Sequence, residues 1–192
     1  MPFGLDPVAD ESARVLILGS MPGEESLARR EYYGHPRNQF WQLVYSVFGA
    51  ECDPSYRSRI AFLKRNRIAL WDVIESCDRQ GSADARIKNV RPNNLTLFLS
   101  SHPGIKAIFF NGKMAYRLNK KYLPPGSGFA PSSVVLPSTS PANARMSLES
   151  KLKEWRIIKE YLGNGNPCQP ESGNDERSCR TDACARGEKP QG

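Results

Sequence analysis

The chain lacks any apolar run approaching the roughly 20 residues that a membrane-spanning helix requires, which excludes a helical membrane protein. Residues 1–13 (MPFGLDPVADESA) have neither a basic start nor an apolar stretch and do not read as a secretory signal, so the expected location is the cytoplasm, or the nucleus in a eukaryote. There is no CxxC pair among Cys52, Cys77, Cys168, Cys179 and Cys184, and no cysteine and histidine cluster at zinc spacing; reduced thiols and no metal site are expected. Acidic residues are in deficit, 20 against 27 lysines and arginines, for a net charge of +7. From Asn164 onward there is no isoleucine, leucine, valine or aromatic residue, so residues 164–192 cannot offset their ordering entropy and are expected to be a disordered tail. That tail holds four basic and five acidic groups, which leaves 23 basic against 15 acidic, a net +8, on residues 1–163. Such a surface suits a polyanion, although a soluble protein without one can carry the same excess.

What is present is the composition of one globular domain, 39% hydrophobic and 24% charged in 192 residues. Four short apolar runs read as buried strands: Val15 to Leu18, Ile68 to Ile74, Ile105 to Phe110, and Val134 to Leu136. Between them the apolar residues recur at helical spacing: Phe40, Leu43, Val44 and Val47; Ile60 and Leu63; Leu95, Phe98 and Leu99; Ala115, Leu118 and Tyr122. A last helix carries Leu148, Leu152, Trp155, Ile158 and Leu162 on one stripe and stops at Gly163. Parallel neighbours need crossover connections, so alternating strands and helices predict a three-layer α/β domain over residues 14–163: a four-stranded parallel sheet flanked by helices. Residues 1–13 are then an N-terminal extension.

Open α/β sheets bind ligands outside the carboxyl ends of their strands. Those ends read Gly19-Ser20-Met21-Pro22-Gly23, Asp72, Asn111-Gly112, and Pro137 through Arg145 (PSTSPANAR). A glycine loop and a serine-proline loop are ordinarily turns, and Asn-Gly is a common turn pair. Their joint placement at one sheet edge favours a ligand, with Ser138 and Ser140 suited to phosphate. Before the first long helix stands EYYGHPRNQFW, residues 31–41. Tyr33 can stack on a base, Phe40 and Trp41 suit the core, and His35 suits packing within the loop. Asn38 is either an N-cap, worth about 1 kcal/mol, or a catalytic amide.

LGSMPG at 18–23, YYGHPRNQFW at 32–41, FFNG at 109–112 and LPSTSPANAR at 136–145 together resemble the uracil-DNA glycosylase superfamily, most closely its hypoxanthine (deoxyinosine) branch, over about residues 14–162. The resemblance implies an enzyme that flips a deaminated nucleotide out of DNA and hydrolyses its N-glycosidic bond without metal or cofactor, as a monomer with damaged DNA as partner. It also implies roles. Met21 stands where many members have a water-positioning aspartate or asparagine, so that task passes to Asn38 and Met21 lines the base site. Leu136 stands where many have a base-binding histidine. Asn111 resembles the base-reading asparagine, with Tyr33 stacking on the base, and Ser20, Ser138, Ser140, Asn143 and Arg145 grip the backbone or supply the wedge. The alternatives are a uracil or mismatch-specific glycosylase, a catalytically silent DNA-binding module, and, more weakly, a nucleotide binder using GSMPG as a phosphate loop.

Overall fold

A computed structural model describes residues 2–78, 88–122 and 131–163. The four expected strands are present as β1 (Val15–Gly19), β2 (Ile68–Asp72), β5 (Ala107–Asn111) and β6 (Ser132–Leu136), all parallel, in the order β2-β1-β5-β6. Each of the expected helical segments is also a helix: α2 (Phe40–Phe48), α3 (Tyr56–Arg65), α4 (Leu95–Ser101) and α5 (Lys113–Tyr122). A further short helix, α1 (Glu24–Arg29), was not legible as an apolar stripe.

The central strands are buried on both faces, and alternation decides which layer each residue joins. Val15, Ile17, Ile68, Leu70, Ala107 and Phe109 face one way, into a core with Phe40, Trp41, Leu43, Val44, Trp155 and Ile158. Leu16, Leu18, Ala69, Ile108 and Phe110 face the other, against Leu95, Phe98, Leu99 and Ala115. Phe40 anchors the first layer: it is fully buried and meets Trp41 and Trp155 edge-on, with centroids at 5.1 and 5.9 Å. Truncating such a residue to alanine costs about 3–5 kcal/mol.

Two expectations need correction. The apolar run Ile68 to Ile74 is two strands, not one. The chain turns at Val73, whose N–H donates to the Gly19 carbonyl at 3.0 Å, and β3 (Ile74–Asp78) leaves the main sheet to pair antiparallel with β4 (Lys88–Pro92). The last helix is also two, α6 (Leu148–Trp155) and α7 (Ile158–Leu162), separated at Arg156 and Ile157 while the apolar stripe continues through both. The N-terminal extension is bonded to the domain. Val8 exchanges backbone hydrogen bonds with Leu70 at 2.9 and 2.8 Å along the outer edge of β2, Gly4 N–H donates to Glu75, and the Leu5 carbonyl accepts from the Trp71 indole and the Tyr32 hydroxyl. The expected tail, with Cys168, Cys179 and Cys184, lies outside the described residues. Among the described residues Cys52 and Cys77 form no disulfide, no helix is long and apolar enough to cross a membrane, and no three metal-ligating side chains cluster.

Candidate active site

Register alone aligns the polar strand ends. Gly19 is paired with Asp72, the Leu18 to Phe110 pairing puts Asn111 on the other side of Gly19, and Asn111 is paired with Leu136. With about 4.8 Å between strands, Asp72 and Asn111 stand roughly 10 Å apart across a glycine. The glycine is required there. A Cβ on Gly19 would fall on the Asp72 carboxylate and come within 3.3 Å of the Tyr33 hydroxyl. Above this row opens a cavity of about 370 Å³, within the range of small-ligand sites. Its walls include Ser20, Met21, Tyr33, His35, Asn38, Asp72, Asn111, Ser138 and Ser140, so residues distant in sequence meet in one place.

Asp72 is the chemical group that the sequence reading left without a role. Only 4% exposed, it ends β2 with its carbonyl held by the Asn93 amide at 2.9 Å and its carboxylate toward Gly19. Its charge, after burial itself, helps hold the Tyr32 phenol well above its ordinary pKa.

Asn38 divides its amide between two tasks. The Oδ1 accepts from the Phe40 N–H at 3.0 Å, supporting the first turn of α2, while Gln39 occupies the cap position proper. Its Nδ2 donates to no group among the described residues, and Asn38 is part of the cavity wall. The capping and catalytic readings of Asn38 therefore do not compete for the same atom. His35 is a loop former, as expected: Nδ1 accepts from the Arg37 N–H and the carbonyl from the Asn38 N–H.

Tyr33 stacks on Phe40 with centroids 3.8 Å apart and planes 19° apart, so one face of its ring is already covered. Its φ of 54° is left-handed, a strained conformation for a tyrosine, which turns the ring toward Gly19. Met21 lines the cavity from the side, packed with Ile74 and Cys77. Asn111 grips Thr139 at both ends of its amide: Nδ2 donates to Thr139 Oγ1 and Oδ1 accepts from Thr139 N–H, each at 2.9 Å. One N–H and one lone pair of that amide remain for a ligand.

The loop after β6 is built from its own side chains. Ser138 Oγ accepts from Ser140 N–H at 3.2 Å, Ser140 Oγ from Ala142 N–H, and Asn143 Nδ2 donates to the Ser138 carbonyl at 3.0 Å. Gly112, at φ 100°, lets this loop come close; a Cβ there would lie 2.8 Å from that of Ser138. Both serine hydroxyls keep a hydrogen to donate outward. Asn143 is tied into the loop, a poor arrangement for a wedge, whereas Arg145 is exposed and, among the described residues, in no ion pair.

A glycine-centred strand edge, an amide before α2 and a serine loop after β6 agree with what comparison finds. Residues 7–162 match the model of the uracil DNA glycosylase superfamily. The chain belongs to that superfamily. This superfamily member is 39% identical over 153 residues to a hypoxanthine DNA glycosylase of Methanosarcina barkeri, covering 79% of this chain and 94% of the relative. It is 38% identical over 156 residues to a hypoxanthine DNA glycosylase of Methanosarcina acetivorans, covering 81% and 96%. Its fold superposes with a TM-score of 0.72 on the solution NMR structure of a Methanosarcina acetivorans protein described as a candidate uracil DNA glycosylase, at 37% identity and covering 83% of this chain and 97% of the other. As a superfamily member the chain carries Met21 and Leu136 where the resemblance leads one to expect polar residues, and Met21 shares the cavity wall with Asn38 and Asp72.

Proposed function

We propose that this protein is a DNA glycosylase that flips deoxyinosine out of the duplex and releases hypoxanthine. The observation that carries the reading is the row Asp72, Gly19, Asn111 beneath the cavity, in a chain whose relatives along nearly their full length are hypoxanthine DNA glycosylases. Deamination turns the N1 lone pair of adenine into an N–H and its amine into a carbonyl. An ionised Asp72 accepts from that N–H and repels the lone pair of adenine; the remaining Asn111 N–H donates to O6. Tyr33, backed by Phe40, offers its uncovered face to the base.

In the reaction the C1′–N9 bond breaks and its electron pair leaves with the base, building positive charge on the sugar. A water oxygen bonds to C1′ and its protons end on the sugar hydroxyl and the base. Asn38 Nδ2 holds that water. The Asn111 N–H on O6 steadies the departing anion, an interaction stronger in the transition state than in the bound substrate. Ser138, Ser140 and Arg145 grip the backbone on either side of the flipped nucleotide, and the open surface reaches DNA through the positive excess of the domain.

The test is incubation of the full chain with an inosine-containing duplex, reading free hypoxanthine and alkali-labile abasic sites. Binding without either product supports the silent-module alternative. Uracil shares the acceptor and donor edge of hypoxanthine and is the second substrate to assay.

A further inference from the structure

Lys151 sits in the middle of α6 with 1% exposure, and its ammonium meets no carboxylate among the described residues. Nζ instead donates to Gln39 Oε1 at 2.7 Å and to the Asn143 carbonyl at 3.0 Å. Burying a charge against two neutral acceptors is costly, and burial holds this ammonium below the ordinary lysine range. An apolar side chain of similar volume would pack at lower cost. The two acceptors explain what the charge does. Gln39 follows Asn38 directly, and its N–H donates to the Thr139 carbonyl at 3.1 Å. Asn143 in turn binds the Ser138 carbonyl, and Thr139 follows Ser138. The bonds therefore close a ring, from Lys151 to Asn143, Ser138, Thr139, Gln39 and back, with Asn111 attached through Thr139.

We propose that Lys151 is a positioning residue that couples the loop gripping the DNA backbone to the Asn38 amide, so that seating of the nucleotide at Ser138 and Ser140 sets the water for attack. This rests on the glycosylase reading above. Lys151 touches neither base nor water; it acts through Gln39. Hydrogen bonds from a charged donor are about twice as strong as neutral ones, which suits a joint that must hold while DNA is distorted.

The experiment uses the full chain with Lys151→Met, which removes both bonds without leaving a buried charge. Single-turnover release of hypoxanthine should fall at least tenfold while affinity for the inosine duplex changes less than threefold. Combined with Asn38→Ser, the loss should stay within threefold of Asn38→Ser alone, because both changes act on one step; simple loss of stability would not produce that non-additivity. If Lys151→Met does not fold, Gln39→Met cuts the same link from its other end and the same readings apply. A parallel arm measures hydrogen exchange at the Gln39 and Asn143 amides with a duplex carrying a stable abasic-site analogue. Both amides should slow together in the parent, and only Asn143 in Lys151→Met. A parent-like release rate, multiplicative losses in the double variant, or joint slowing that survives the substitution overturns the coupling. A parent that releases no hypoxanthine sinks the glycosylase reading instead, and the exchange arm still decides the role of Lys151.

Discussion

Asn38 can be tested one atom at a time because only one of its two polar atoms is bonded within the fold. The Oδ1 bond to the Phe40 N–H at 3.0 Å is local, and losing it in Asn38→Ala should cost about 1 kcal/mol of stability, as loss of a helix-start acceptor does. The Nδ2, on a residue of the cavity wall, is the donor proposed above for the water. Loss of a preorganised donor in an active site lowers the rate by about 10²–10³ when it faces an anion. Facing a neutral water, it should sit at the low end, about a hundredfold, or roughly 2.7 kcal/mol of transition-state stabilisation. Asn38→Ser separates the two effects. A serine hydroxyl accepts from a backbone N–H two residues on, so most of the stability returns, but the shorter side chain cannot carry an N–H to the cavity. The assay is urea unfolding beside single-turnover release of hypoxanthine from an inosine duplex. Asn38→Ser should unfold near the parent midpoint and be as slow as Asn38→Ala. Release by Asn38→Ser within threefold of the parent would refute the reasoning and leave Asn38 a structural residue only.

The other predictions concern recognition, DNA contact and pH. Asp72→Asn, nearly isosteric, should lower hypoxanthine release at least tenfold, since the carboxamide can turn an N–H toward the base and loses the charged acceptor; unchanged release removes Asp72 from base reading. Arg145→Ala should weaken binding to every duplex sequence and reduce the slope of log affinity against log salt by about 1; an unaltered slope means that Arg145 does not touch phosphate. Tyr32, Tyr45 and Tyr56 are all raised above the ordinary phenol value, first by burial, with Tyr45 also donating to Asp53 Oδ2 at 2.7 Å. The folded chain then keeps phenol protons that the unfolded chain releases near pH 10, so stability is complete below that value and falls as pH rises through it. Tyr45→Phe should flatten this fall in urea midpoints measured from pH 8.5 to 10.5; an unchanged slope would contradict the assignment.

Much of the fold was legible because the main strands are short apolar runs and the helices between them keep their period. What escaped depends on long-range bonds. Nothing within IALWDVI marks Val73 as a corner; its N–H still bonds the Gly19 carbonyl of β1, and the chain then leaves the main sheet to pair with β4. The β4 segment KNVRP has no alternation of its own and becomes a strand only against β3. At the site, Asn111 and the serine loop could be found from their place at strand ends, and Asn38 from its place before the first long helix. Their bonding could not, because the grip of Asn111 on Thr139 and the pinning of Asn143 to Ser138 exist only once the chain is folded. Asp72 was visible as a polar strand end, but its burial and its contact with the Gly19 position are products of sheet register. Lys151 did leave a signal: three residues after Leu148 and four before Trp155, it falls on the apolar stripe of the last helix, where a lysine is out of pattern.

The most direct measurement is a side-by-side single-turnover excision assay over duplexes that differ only in one base: inosine, uracil, xanthine, ethenoadenine and adenine. The account predicts free hypoxanthine and an alkali-labile site from inosine at the highest rate, slower release of uracil, and no release of adenine, whose N1 lone pair faces Asp72. Faster release of ethenoadenine than of hypoxanthine, or release of adenine at a comparable rate, would contradict it.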